Sequence, residues 1–207
     1  MTDDYSAAFS ALGAATLGES GGRPMAPRMR PVWRGARVSA PAFPVNCSTT
    51  DNLAVHVAVA EAPVGSVLVV NVGHEGARGY WGEVLTTGAE ARGLRGLVID
   101  GGVRDVDAIE THGFPVFSTM IALRGATKQE PGSVGTTAMV GDVEVAAGDW
   151  IVGDADGVTV ISHAHLDAVL AAGRTRAAKE ERFFEELRGG STTLQLLSLD
   201  DAPIDRG

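Results

Sequence analysis

Between Val67 and Phe117 the chain alternates apolar runs of strand length with short helix-like runs, and glycine-rich joints connect them. The strand Val67–Val72 leads through a loop with Gly73, Gly76, Gly79 and Gly82 into a helix over Glu83–Arg92, closed by Gly93. The strand Leu97–Ile99 leads through Asp100-Gly-Gly-Val-Arg-Asp105 into a short helix over Asp105–Glu110, closed near Gly113, and Val116-Phe117 begins another strand. Apolar strands that alternate with short helices imply a parallel sheet buried on both faces, an α/β fold. A glycine joint into a helix leaves backbone N–H groups free, a ready anion site. The second joint also sets a guanidinium beside a carboxylate, Arg104 and Asp105. One can clamp a substrate carboxylate and the other can hold a hard divalent cation.

The flanking regions follow other patterns. A short helix over residues 1 to about 20 ends near Gly21-Gly22, and a Pro/Arg-rich connector runs from Arg23 to Pro31. Val32–Val45 reads as extended, and Pro41 and Pro44 place it at a sheet edge. Asp51 can cap a helix carrying Leu53, Val57 and Ala60 that stops before Pro63. Gly132–Ile161 is rich in Gly, Val, Thr and Asp, with strands near Met139–Val145, Trp150–Val152 and Val158–Ile161 and a turn at Asp154–Gly157. Leu166–Leu187 reads as a long helix with Leu166, Val169, Leu170, Ala177, Phe184 and Leu187 on its apolar side. Leu194, Leu196 and Leu197 in the tail are expected to pack on a neighbour.

Composition narrows the function classes. The chain has 207 residues, one domain of ordinary size, and 44% are hydrophobic, ample for a core. Seventeen Lys and Arg against 26 Asp and Glu give a net charge of −9, which disfavours nucleic acid as the main partner. Arg23, Arg28, Arg30, Arg34 and Arg37 cluster, and read as a solvated or subunit-contacting arm. One cysteine, Cys47, permits no intrachain disulfide; it reads as a small buried residue rather than a nucleophile. With no long apolar stretch after the acidic start, neither a membrane span nor a secretory signal is expected, and a cytoplasmic location is.

The glycine loop admits three readings. Asp100 lies about where a dinucleotide fold places its ribose-binding acid, but the G-x-G-x-x-G spacing is absent. The glycines can simply allow a tight loop. The remaining reading is an anion site made by the amides of Gly82, Glu83, Val84 and Leu85. Arg104-Asp105 by itself would be an exposed arginine and a helix cap. Its setting argues for more, because both loops fall at the carboxyl ends of adjacent parallel strands, where ligands collect. Asp100 and Asp107 flank this region as loop and cap residues. Lys128, in a loop, reads as a rim residue, and no lysine is placed for a Schiff base.

Glu83 precedes Arg104 by 21 positions. An acidic residue, twenty residues and Arg-Asp resembles the signature of the RraA-like proteins, which include class II 4-hydroxy-4-methyl-2-oxoglutarate aldolases that also decarboxylate oxaloacetate, and regulators of ribonuclease E activity. Gly79-Tyr-Trp-Gly-Glu-Val-Leu85, Gly96-Leu-Val-Ile-Asp-Gly-Gly-Val-Arg-Asp-Val-Asp107, Gly113-Phe-Pro-Val-Phe117 and Gly148-Asp-Trp-Ile-Val-Gly-Asp-Ala-Asp-Gly-Val158 are also similar to family segments. The resemblance implies a compact swivelling β/β/α-type domain over 32–190, with a helix and connector arm at 1–31 and a tail at 191–207. It implies a homotrimer or hexamer with sites between subunits. It implies that the amides of Gly82, Glu83, Val84 and Leu85 hold the pyruvyl part of a 2-keto acid, that Arg104 binds its carboxylate or keto oxygen, that Asp105 ligates Mg2+ or Mn2+, and that Glu83 acts on a nearby water. A glutamate from the neighbouring subunit, Glu180 or Glu181, would complete the site.

The chemistry is consistent with those groups. Cleavage of a 2-keto acid beyond C3 leaves a pyruvate enolate, whose charge a chelated divalent ion and fixed donors can stabilise. The sequence reading is therefore a metal-dependent carbon–carbon lyase releasing pyruvate. The alternatives are a non-catalytic ribonuclease E regulator or a lyase for a different 2-keto acid.

Overall fold

Val67 to Val70 and Leu97 to Ile99 are fully buried, so neither strand has a face for solvent. In the computed structural model, which describes residues 2–74 and 76–205, these segments sit at the heart of a mixed sheet. In chain order, helix α1 (Thr2–Gly18) precedes two short strands, β1 (Arg23–Pro24) and β2 (Arg30–Pro31). Then come β3 (Val38–Asn46), α2 (Leu53–Glu61), β4 (Val67–Asn71), β5 (Gly79–Trp81), α3 (Glu83–Ala91), β6 (Gly96–Val103), α4 (Val106–His112) and β7 (Val116–Ile121). The remainder is β8 (Ser133–Val134), β9 (Ala138–Val140), β10 (Val143–Val145), β11 (Trp150–Asp154), β12 (Gly157–Ile161), α5 (Leu166–Arg188) and α6 (Thr193–Leu197).

The sheet runs β1-β12-β11-β3-β4-β6-β7-β2, parallel from β3 through β7 and antiparallel around β11 and β12. Laid flat, these eight strands would hold their edges roughly 34 Å apart. Yet β1 and β2 are separated by only the stretch from Pro24 to Arg30, which reaches at most about 21 Å. The sheet must curl. Side chains alternate accordingly. Leu68, Val70, Leu97 and Ile99 face a core under α2, α3 and α4, whereas Val67, Val69 and Val98 face a second core with Val140, Ile151 and Val160. A third cluster packs Phe9 and Leu17 of α1 with Leu166 and Val169 of α5 on Trp150, Val152 and Ile161.

The structure departs from the sequence reading in four places. Strand β3 is central, not an edge, despite its prolines. Residues Val38–Pro41 pair with β11 and Ala42–Asn46 with β4, so the two ladders cover different halves of the strand. Cys47 donates to Asn71 O in the β4 ladder, so by the two-residue alternation the Pro44 nitrogen points away from β4 and costs it no bond. The arginine connector is no free arm. Arg23 pairs with Asp149 at 3.0 Å, Arg28 with Asp100 at 2.9 Å and Asp142 at 2.6 Å, and Arg30 donates to Asp156 O. With Met25 and Met29 buried, it closes the curl. On α2 the buried face is Ala54, Val55, Ala58 and Val59, leaving Leu53 exposed. On α5 only the first turns are covered; Phe184 is exposed, as are Leu194 and Leu197 of α6. Among the described residues, no helix is long and apolar enough to cross a membrane.

One buried carboxylate organises the loop over α2. Asp51 is 1% exposed. Its Oδ1 accepts from Leu53 N at 2.8 Å, capping α2, and its Oδ2 accepts from Gln129 N at 2.6 Å, pinning residues 124–130 to the helix start. Burial alone would push this carboxyl up, but the N–H groups of Leu53, Gln129 and Glu130 and the Thr127 hydroxyl together hold it below its ordinary value of 3.8. A carboxyl depressed on folding contributes stability that is present above the unfolded value and lost as pH falls through the folded one. Asp51→Asn should therefore destabilise the protein by about 2 kcal/mol at pH 7. The gap from the parent should shrink below pH 3.8, in denaturant titrations at stepped pH.

Candidate active site

The two glycine joints meet because β4 and β6 run in parallel register, with Asn71 opposite Asp100. Beyond that pair β6 continues to Val103, and the first loop returns as β5 to lie along the extension, Gly79 against Gly102 and Trp81 against Val103. Arg104 N donates to Trp81 O at 2.9 Å. This places Arg104 and Asp105 beside the start of α3. Close approach explains two glycines here. A Cβ at Gly79 would lie 2.6 Å from Ala122 O, and one at Gly82 would lie 2.4 Å from Asp105 Oδ2.

Asp105 adopts a left-handed conformation (φ 57, ψ 41) at the head of α4, which a non-glycine residue takes only at a cost that aspartate bears better than most. That turn aims its carboxylate across at α3, where Oδ2 accepts from Glu83 N at 3.1 Å. The Arg104 guanidinium lies 3.7 Å from the same oxygen. Asp105 thus caps α3, not α4, and occupies one of the four amides that the sequence assigned to a ligand. Gly82, Val84, Leu85, Arg104 and Asp105 line one cleft of about 310 Å3. Glu83 does not line it. Its exposed carboxylate lies 3.7 Å from His112 Nε2 of α4, whose Nδ1 meets Glu90 at 2.8 Å.

The same cleft takes residues from elsewhere in the chain: Asn52 from the turn before α2, His56 from α2, and Gly125, Ala126 and Lys128 from the pinned loop. Burial, then the nearby Lys128 charge, lowers the His56 pKa, so its ring is neutral at neutral pH. The sequence reading missed Asn52 and His56. Their signal was the i, i+4 spacing of an asparagine at the helix start and a histidine one turn on, in a run that is apolar from Leu53 to Ala60 apart from that histidine. Asp100 bonds Arg28 and Gly141 N instead of the cleft. Asp154 is more than a turn residue: it is buried, and accepts from Ala14 N at 2.8 Å. Burial pushes the Cys47 thiol up to about 12, which suits an inert packing role.

Asp105 offers the cleft one carboxylate, 41% exposed. No group of three or more His, Cys, Asp or Glu side chains is positioned for a metal among the described residues. That donor set fits a hard cation such as Mg2+, which keeps most of its shell for water and substrate, and does not fit a protein-only cage.

The profile of the family described as "RraA-like: Aldolase/RraA" matches residues 6–160. A protein of Halalkalibacterium halodurans, provisionally named 4-hydroxy-4-methyl-2-oxoglutarate aldolase, is 33% identical over 153 residues, 74% of this chain and 73% of that protein. The crystal structure of an uncharacterized protein from Pseudomonas syringae superposes with a TM-score of 0.83 at 26% identity, covering 94% of this chain and 93% of that one. The RNA-processing inhibitor RraA from Thermus thermophilis shares the fold, with a TM-score of 0.65 at 23% identity over 72% of this chain and 91% of its own. By its match over most of its length, a curled mixed sheet with a C-terminal helix and paired glycine joints, the chain belongs to the RraA-like family.

Proposed function

We propose that the protein is a divalent-metal-dependent lyase that cleaves a carbon–carbon bond of a 2-keto acid and releases pyruvate. 4-Hydroxy-4-methyl-2-oxoglutarate and oxaloacetate are the first candidate substrates. The observation that carries this reading is the meeting of Arg104 and Asp105 with the start of α3 in a single cleft. The aldolase name of the Halalkalibacterium relative supports it. The alternative, a regulator of ribonuclease E, draws on the RraA structure, whose 23% identity speaks for the fold alone.

In this reading the amides at Gly82, Val84 and Leu85 receive the pyruvyl carboxylate at the positive end of α3. Arg104 donates to the keto oxygen, where charge gathers as the bond breaks. Mg2+ or Mn2+ on Asp105 would supply Lewis-acid stabilisation of the same charge. In the aldol case the C4 hydroxyl gives up its proton, the C3–C4 electron pair becomes the enolate of pyruvate, and C3 then takes a proton. In decarboxylation carbon dioxide leaves in place of the carbonyl fragment. Glu83, whose backbone starts α3 beside the cleft, is assigned to carry the proton through water. A homotrimer or hexamer would cover exposed Val84 at the cleft and bring a neighbour's Glu180 or Glu181. Within its own helix Glu180 pairs with Arg176 at 2.8 Å, and Glu181 with Arg188 at 3.8 Å.

Pyruvate release from both substrates should require Mg2+ and stop with EDTA. Arg104→Ala and Asp105→Ala should each lower it on the order of a hundredfold or more. The variants must run beside the parent, because free metal decarboxylates oxaloacetate unaided; parent turnover equal to theirs would refute the lyase reading. Gly82→Ala tests the geometry. Gly82 is extended (φ −168), so alanine suits the backbone, but its methyl displaces the Asp105 carboxylate. Turnover should fall on the order of a hundredfold, while the unfolding midpoint moves by only a few degrees.

A further inference from the structure

At the opposite end of the parallel strands from the cleft, Arg37 and Arg95 line a second cavity, of about 460 Å3. Each stands just before a strand, Arg37 before β3 and Arg95 before β6. The two strand starts touch, because a Cβ at Gly96 would lie 3.2 Å from Val38 Cγ2. Other arginines are engaged: Arg23 and Arg28 by carboxylates, and Arg30, Arg78 and Arg92 by carbonyls. The guanidiniums of Arg37 and Arg95 have no partner among the described residues. The Arg95 backbone is fixed, its N–H donating to Ser66 O at 2.8 Å. In a chain of net charge −9, two unpaired guanidiniums that meet at one cavity point to an anion that completes them.

A hydroxyl joins them. Ser39 lines the same cavity, and its Oγ accepts from Trp150 Nε1 at 3.0 Å. The Ser39 hydroxyl proton has no acceptor among the described residues, so one donor is left for a ligand. Glu90 is the carboxylate of the lining, and its Oε2 meets His112 Nδ1 at 2.8 Å. Two guanidiniums against one carboxylate leave a single positive charge unbalanced. One further carboxylate balances it, whereas the second charge of a dianion would face Glu90. Ser39 and Arg95 also border an adjoining hollow of about 250 Å3, walled by Ala40, Pro41, Val64 and Trp150. Those walls are apolar and offer no partner to a second charge, so they suit a hydrocarbon body.

We propose that the cavity and the hollow together form a second ligand site, for a monocarboxylate that carries a small apolar body such as an aryl ring. The carboxylate accepts from Arg37, Arg95 and the Ser39 hydroxyl, and the body lies against Pro41 and Trp150. Arg95 and Arg104 flank the two ends of β6, so the site lies roughly 30 Å from the cleft along that strand. The two sites share no lining residue, and this one stands independently of the lyase reading.

Calorimetry on the full chain, at about pH 8 in a buffer without carboxylates, tests the site with four probes: phenylacetate, phenylacetamide, acetate and phenylphosphonate. Phenylacetate should bind about tenfold tighter than acetate, which lacks the body, and than phenylacetamide, which lacks the charge. Arg37→Gln and Arg95→Gln should each weaken it about tenfold, and Arg95→Lys should restore part of the loss. Both arginines are exposed, so the unfolding midpoints of the free variants should stay within about two degrees of the parent. Arg104→Ala should leave phenylacetate affinity within about twofold. Phenylacetate binding that is absent, matched by phenylacetamide, unchanged in both glutamine variants, or lost in Arg104→Ala overturns the site. Phenylphosphonate binding tighter than phenylacetate overturns the assignment to a monocarboxylate.

Discussion

The parallel register that sets Asn71 beside Asp100 is the constraint from which the rest of the site follows. Both strands end in glycine joints, and both are buried on two faces. A slip by one residue would exchange the core of Leu68, Val70, Leu97 and Ile99 for that of Val67, Val69 and Val98. It would also part β5 from the end of β6. Only in the observed register does the first loop bring Gly82 under Asp105, so that a carboxylate from one joint caps the helix that begins at the other. The core packing and the site geometry are therefore one condition.

The curl of the sheet spends the chain's basic residues internally. Arg23, Arg28 and Arg30 tie the segment between β1 and β2 to Asp149, Asp100, Asp142 and Asp156. Asp100 lies at the end of the β4–β6 pairing, so Arg28 braces the place where β6 leaves β4 and takes up β5. Arg104 and Asp105 remain for the cleft, nearly half exposed and only 3.7 Å from one another. Partly solvated charges of this kind contribute little to stability, which leaves them available to a ligand. Asp51 plays the contrary part: deeply buried and saturated with N–H donors, it holds the loop that carries Lys128.

Much of this was legible in the residues. Val67–Val70 and Leu97–Ile99 announce two-sided strands because no polar position interrupts them. Gly93 and Gly113 close their helices in the left-handed conformation, with φ of 71 and 69, as their position after a periodic run implies. Arg104 and Asp105 were recognisable from their place after a buried strand. Asp51 was legible as a cap, but its second bond, to Gln129, was not, because that partner lies 78 residues away. Pro41 and Pro44 misdirected the reading of β3, since a proline reports a missing donor without saying on which side a neighbouring strand lies.

By itself, then, the sequence determined what depends on short range: the two-sided parallel strands, the glycine joints at their carboxyl ends, and the adjacency of a guanidinium to a carboxylate. These follow from local pattern and from backbone sterics. The tertiary structure alone decided that a proline-bearing strand is central, that the arginine connector closes a curled sheet, and that Asp105 caps α3 instead of α4. It alone brought Asn52, His56 and Lys128 to the cleft of Arg104. Those outcomes depend on which distant segments supply the neighbouring strand or the missing hydrogen-bond donor, and a side chain carries no record of its distant partners.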